Sequence, residues 1–299
     1  MKILLSGSHG LVGSALSKAL QSDRHDVTAL VRYATHEGSA DVEWDPERDS
    51  ITLSRLEGFD AVIHLAGESI AERWNEEKKR RIRDSRVKGT KLISRSIAEL
   101  KHPPQVFISA SAIGYYGNRG DEVLTEESAA DDDFLARVCV DWERATIAAT
   151  EKGIRTVNLR FGVILAKQGG ALAKLLTPFR MGVGGRVGSG KQWMSWIALD
   201  DVVKGIKFVL TNEAVKGPIN FVAPNPVTNA EFTKTLGKAL SRPTLFPMPE
   251  FGVRLAFGEM GEALLLSSQR VMPRRLLDSD YGFQYSALEP ALRAILAVG

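Results

Sequence analysis

The chain has 299 residues, enough for one large α/β domain or two modest ones. Its charged fraction of 25%, hydrophobic fraction of 44% and net charge of +3 describe an ordinary globular protein, with no charge excess to argue for a nucleic-acid or membrane-surface partner. A single cysteine, Cys139, excludes an intrachain disulfide and makes a reducing cytoplasm the simplest home.

The chain opens with Lys2 to Gly13, K-I-L-L-S-G-S-H-G-L-V-G. Ser6 to Gly10 interrupt the apolar run too early for a signal peptide. No later run approaches the roughly 20 apolar residues that span a bilayer. Ile3 to Leu5 read as a strand, the glycines at 7, 10 and 13 as a tight turn, and Leu16, Ala19 and Leu20 as one face of a helix. Gly7 permits the turn, Gly10 admits a pyrophosphate to the backbone, and Gly13 lets helix and strand pack closely. Gly7, Ser8, His9, Gly10, Leu11, Val12 and Gly13 are therefore candidates to hold a dinucleotide at a helix N-terminus. The competing reading is a packing turn without a ligand.

Further strand-like runs follow at 26–31, 42–45, 61–65, 105–109 and 155–159, with helical patterns over 75–100 and 134–152. This alternation predicts a parallel sheet covered on both faces. From about residue 166 the pattern loosens into a glycine-rich stretch, a helix near 199–210 and a short strand at 218–222 expected to rejoin the sheet. The expected fold is a Rossmann-type, doubly wound α/β sheet (1–165) with a smaller C-terminal substrate lobe (166–299).

The cofactor's 2′-position is read at the end of the second strand, about 20 residues past the glycines. That strand ends on Arg32 with no acidic neighbour, and a guanidinium matches a phosphate. The expected cofactor is NADP(H), against the alternative of an Arg that merely solvates a strand end. Asp45 closes the third strand and reads equally as an adenine contact or as a turn residue before Pro46.

Three segments carry a family likeness: Gly7 to Gly13, H64-L-A-G67, and S109-A-S-A-I-G-Y-Y-G117. They resemble the extended short-chain dehydrogenases/reductases. The stretches beginning at Leu159, Pro178 and Ala223 are similar to that superfamily's atypical "epimerase family protein" subgroup. The resemblance spans essentially the whole chain. It implies a cofactor lined by His64, Leu65, Ala66 and Gly67, with Ser109 and Ser111 near the nicotinamide. It also implies that Arg160, Gly162 and Val163, within the run from Arg160 to Val163, close over its far side. A small-molecule substrate and a cytoplasmic location are further implications.

One departure matters. The superfamily's chemistry rests on Tyr-x-x-x-Lys, where Lys lowers the phenol's pKa and holds the nicotinamide ribose while Tyr exchanges a proton. Alignment on the helix end puts Leu135 and Cys139 in those places. Leu135, Val138, Cys139 and Trp142 form one apolar stripe, so packing accounts for them. Tyr115 or Tyr116, oriented by Ser109 or Ser111, is a substitute acid, or else a packed loop pair. Lys191 and Arg86 are other polar candidates. G185-R-V-G-S-G-K191 nearly spells a P-loop, but Gln192 replaces its Ser or Thr and a helix precedes it. Two functions stay open: an NADP-dependent oxidoreductase or epimerase with a non-standard acid, or a nucleotide-binding sensor that has lost the chemistry.

Overall fold

The computed structural model describes residues 1–32 and 39–297. Its first half runs β1 (Lys2–Ser6), α1 (Leu11–Ser22), β2 (Asp26–Val31), β3 (Val42–Asp45), β4 (Ser50–Ile51), β5 (Ala61–His64), α2 (Glu76–Ala98), β6 (Val106–Ala112), β7 (Val123–Leu124), α3 (Phe134–Arg144) and α4 (Ile147–Glu151). Then come β8 (Arg155–Phe161), β9 (Val163–Leu165), α5 (Gly170–Arg180), β10 (Trp193–Met194), β11 (Trp196–Ala198), α6 (Leu199–Thr211) and β12 (Gly217–Phe221). β13 (Val227–Thr228), α7 (Asn229–Leu240), α8 (Glu250–Phe257), β14 (Arg270–Val271) and a last helix, Leu288–Ala297, complete the larger elements.

Eight strands form the main sheet in the order β12-β8-β6-β5-β1-β2-β3-β4. All neighbours are parallel except the β3–β4 hairpin. The strand expected near 218–222 does rejoin the sheet: Gly217–Phe221 pairs with Val157–Phe161. Central strands are buried on both faces, which is why they read as unbroken apolar runs. Side chains alternate between two cores. Ile3, Leu5, Ile63 and Ile108 meet Leu16 and Leu20 of α1 and Val202 and Ile206 of α6. Leu4, Val62 and Phe107 meet Leu92, Ile93 and Ile97 of α2. A separate core of Leu172, Leu176, Phe179, Trp196, Phe232, Leu236 and Leu292 holds the lobe.

The helical pattern over 134–152 is two helices. Thr146 Oγ1 donates to the Glu143 carbonyl at 2.7 Å, and the Ala149 N–H donates to Ser94 Oγ on α2 at 3.0 Å. These bonds turn the chain onto α2 between α3 and α4. Residues 193–198 form two short strands separated at Ser195. Ser195 donates to the Gln269 carbonyl and accepts from the Val271 N–H, each at 2.8 Å. β10 then pairs with β13, and β11 with β9.

Candidate functional site

The glycine turn sits at the carboxyl end of β1. Gly7 has φ +72°, and a Cβ there would lie 2.8 Å from the Leu65 carbonyl carbon. A Cβ on Gly13 would lie 2.1 Å from Gly7 O, so α1 rests on the turn only because both residues lack side chains. A Cβ on Gly10 would meet only Gly7 O, at 3.2 Å, within 4 Å. Gly10 is the N-cap of α1 and no side chain caps the helix. The first N–H groups, at Leu11, Val12 and Gly13, therefore have no intrahelical acceptor and sit at the positive dipole end. His9 and Gly10 are exposed, and Ser8, Leu11 and Val12 are half-buried. This is a cradle that fits a pyrophosphate.

His64 was expected to line the cofactor; its side chain is instead wholly buried under the turn. Its Nδ1 lies 2.6 Å from Ser6 Oγ, and its ring stands edge-on to Trp44. Ser6 Oγ in turn accepts from the Leu65 and Ala66 N–H groups at 3.2 and 3.4 Å. His64 and Ser6 thus fix the loop through Ala66 and Gly67 from below. Burial pushes the imidazole down to about 3, so it is neutral.

Beside this loop, at the ends of β2 and β3, lies a cavity of about 480 Å³. The structure brings Arg32, Asp45, Ala66 and Gly67 together in its wall. Arg32 is exposed and makes no ion pair among the described residues. Asp45 is also the turn residue: its Oδ1 accepts from the Glu47 and Arg48 N–H groups at 3.0 and 3.1 Å. Sequence reading missed the α2 wall, formed by Arg80, Arg81, Asp84, Ser85 and Lys88. The signal was the spacing 81, 84–85, 88, one face of a helix that begins eight residues after Glu68. Lys88 is paired with Glu47 and Asp84, and Arg81 with Glu68, leaving Arg80 as the second cation of this wall, after Arg32, with no ion pair among the described residues.

The catalytic candidates separate. Tyr116 is fully buried, donating to Asn220 Oδ1 at 2.7 Å and accepting from Arg160 Nη1 at 2.9 Å. Burial pushes its phenol up to about 12 despite Arg160. Ser109 is fully buried, and Ser111 donates to Glu143 Oε1 at 2.7 Å. Arg160 does not close over a cleft: it is buried and bidentate to Glu143, with Nε and Nη2 each 2.8 Å from a carboxylate oxygen. Burial alone would lower its pKa; Glu143 reverses the sign and holds it raised. Gly162 and Val163 are a joint between sheet and lobe: a Cβ on Gly162 would lie 2.5 Å from Ser195 O, and the Val163 N–H donates there at 2.9 Å. Burial and committed partners thus set Tyr116, Ser109 and Arg160 apart from the catalytic and cofactor-closing roles expected of them, while Gly162 and Val163 are half-buried and also serve this joint. Tyr115 remains: it is half-buried, its ring lies 3.5 Å from Arg160 Cζ, and its hydroxyl has no partner among the described residues.

Leu135 and Cys139 pack as the stripe predicts. A Cβ on Gly114 would lie 3.4 Å from Leu135 Cβ and 3.8 Å from Cys139 Sγ. Burial pushes the Cys139 thiol up to about 12, which marks it as a core residue. The P-loop reading fails on context, since α5 precedes the loop and β10 follows it. Among the described residues no group of three or more His, Cys, Asp or Glu is placed to hold a metal, and no helix is long and apolar enough to cross a membrane.

A parallel sheet in this order, with a glycine turn under its first helix, defines a Rossmann-type dinucleotide fold. The chain belongs to the NAD dependent epimerase/dehydratase family, whose model matches residues 3–223. A second model, "Domain of unknown function (DUF1731)", matches 248–295. An epimerase family protein of Mycobacterium tuberculosis is 41% identical over 97% of this chain and 96% of its own length. Epimerase family protein YfhF of Bacillus subtilis is 37% identical over 99% and 98%. The crystal structure of human epimerase family protein SDR39U1 (isoform 2) with NADPH superposes with a TM-score of 0.91, at 34% identity, over 99% of both chains.

Proposed function

We propose that the protein binds NADP(H) and acts as a reductase or epimerase-like enzyme on a small carbonyl or sugar-nucleotide substrate. The observation that carries the cofactor is the unpaired Arg32 in the wall of the cavity between the ends of β2 and β3, the Gly67 loop and α2. The human relative crystallised with NADPH supports the same reading. Gly7 to Gly13 would hold the pyrophosphate, and Arg32 with Arg80 the 2′-phosphate. The nicotinamide would supply or accept hydride.

The proton would come from Tyr115, the one catalytic candidate whose hydroxyl is uncommitted. The Arg160 guanidinium lies over its ring, 3.5 Å from the centroid, and holds that ring in place. Tyr116, sealed between Asn220 and Arg160, is a structural hydroxyl.

Isothermal titration with NADPH and NADH tests the cofactor. Arg32→Ala should weaken NADPH by about 10- to 100-fold, the worth of a charged hydrogen-bond pair, and NADH by less than about threefold. Equal losses would defeat the assignment. The packed Leu135 and Cys139 favour a second reading, a sensor that binds NADPH without chemistry. NADPH consumption across a carbonyl panel separates the two: the enzyme turns over and Tyr115→Phe slows it, whereas the sensor shows no turnover.

A further inference from the structure

Arg86 lies on α2, near the Gly67 loop and the α3 face where the superfamily's Tyr-x-x-x-Lys would stand. A Cβ on Gly67 would be 3.5 Å from Arg86 Cζ and 3.6 Å from its Nη2. The guanidinium stacks on Trp142, with Cζ 5.0 Å from the ring centroid. Trp142 is one turn from Cys139, and the charge of Arg86 reaches the Cys139 thiol. The side chain thus bridges the loop after β5 and the helix that has lost its lysine.

What Arg86 lacks is an anion. Nη1 donates to the Ile82 carbonyl on its own helix at 3.0 Å, and it makes no ion pair among the described residues. Glu68, the nearest acidic influence, already accepts from Lys78 at 2.8 Å and from Arg81. Nε and Nη2 are not sealed in the core without partners. Burial lowers the guanidinium pKa, and the charge of Glu68 offsets only part of that. A half-buried Arg held in place by a ring, with two donors unspent beside a cofactor loop, is built to meet oxygen atoms of a ligand.

We propose that Arg86 is a cofactor-binding residue that replaces the missing lysine, donating from Nε and Nη2 to the hydroxyls of the nicotinamide-side ribose. The cation comes from the helix after β5 because Cys139 occupies the old position in an apolar stripe. This inference rests on the NADP(H) reading above.

The test compares two ligands by calorimetry. NADPH has both halves, whereas adenosine 2′,5′-bisphosphate has only the half that Arg32 reads. Arg86→Met should weaken NADPH about 10- to 100-fold and leave the bisphosphate within about twofold. Arg86→Lys, which keeps the charge, should recover part of the NADPH affinity. The nicotinamide fluorescence of bound NADPH should shift toward its free spectrum in Arg86→Met alone. Unchanged NADPH affinity overturns the proposal. An equal loss of both ligands also overturns it, because it shows a general structural role. A wild-type protein that binds neither ligand defeats the NADP(H) reading itself, and one that binds both while Arg86→Met is silent defeats only this inference.

Discussion

His64 shows how a single buried group sets a pH response. Its folded pKa of about 3 lies below the ordinary 6.5. The unfolded chain therefore binds more protons between these values, so stability rises with pH across that window. The contribution is complete above about pH 6.5 and is lost as pH falls. Between pH 7 and pH 5 the loss from this one residue is about 2 kcal/mol. Urea unfolding of wild type and His64→Asn at both pH values isolates it: wild type should lose about 2 kcal/mol more than the variant. Parallel losses would show that the ring titrates normally. A second residue-scale expectation concerns Glu143. Removing its charge with Glu143→Gln leaves Arg160 buried and under-compensated, at a cost of about 3–5 kcal/mol. Tyr115→Phe, by contrast, removes a hydroxyl with no partner and should move the melting temperature little. A large drop would show that Tyr115 is a packing residue after all.

The β1–α1 unit separates two uses of glycine. Gly13→Ala drives a Cβ to 2.1 Å from Gly7 O, so α1 must lift off the turn, at a cost of about 1–3 kcal/mol or more. Gly10→Ala meets only one atom, at 3.2 Å, and should shift stability by less than about 1 kcal/mol. Its effect belongs to the ligand: NADPH affinity should fall by about tenfold or more while the fold persists, as calorimetry and thermal melts on one sample will show. An intact affinity would mean that nothing approaches Gly10. This unit was legible because both its strand and its turn are dictated locally. Strands β5, β6 and β8 were legible for a related reason, being buried on both faces. The division of 134–152 was not, because it depends on Ser94 of α2 capturing Ala149, a contact 55 residues away. The cationic wall of α2 was half legible. Its spacing is in the sequence, but which charges are spent on Glu47, Glu68 and Asp84 is decided by folding. Tyr116 and Arg160 misled for that reason: both are residue types that suit a site, and tertiary structure spends both on Asn220 and Glu143.

At the scale of the molecule, the chain does not finish the sheet before it builds the lobe. β9, α5, β10 and β11 leave the sheet, α6 returns to cover one of its faces, and β12 adds an edge strand before α7 departs again. The end of the chain is then drawn back by Asp201, wholly buried in the first turn of α6. Its two carboxylate oxygens accept from the Gln284 and Tyr285 N–H groups at 2.7 and 2.9 Å. The carboxylate serves this long-range tie, and its burial raises its pKa despite those bonds. Such threading predicts that sheet and lobe unfold as one cooperative unit, with the cofactor cleft at the carboxyl edge of its strands. Saturating NADPH at about 100 times its dissociation constant should stabilise that unit by about 2.7 kcal/mol, a rise in melting temperature of roughly 5 °C for a chain of this size. Asp201→Asn, which turns one acceptor into a donor facing the Tyr285 N–H, should cost about 1–3 kcal/mol and lower the melt by roughly 2–6 °C. Both shifts should move one transition, with far- and near-ultraviolet circular dichroism superimposing. Two transitions, with NADPH raising only the upper one and Asp201→Asn lowering only the other, would show that the lobe folds apart from the sheet and that the threading does not couple them.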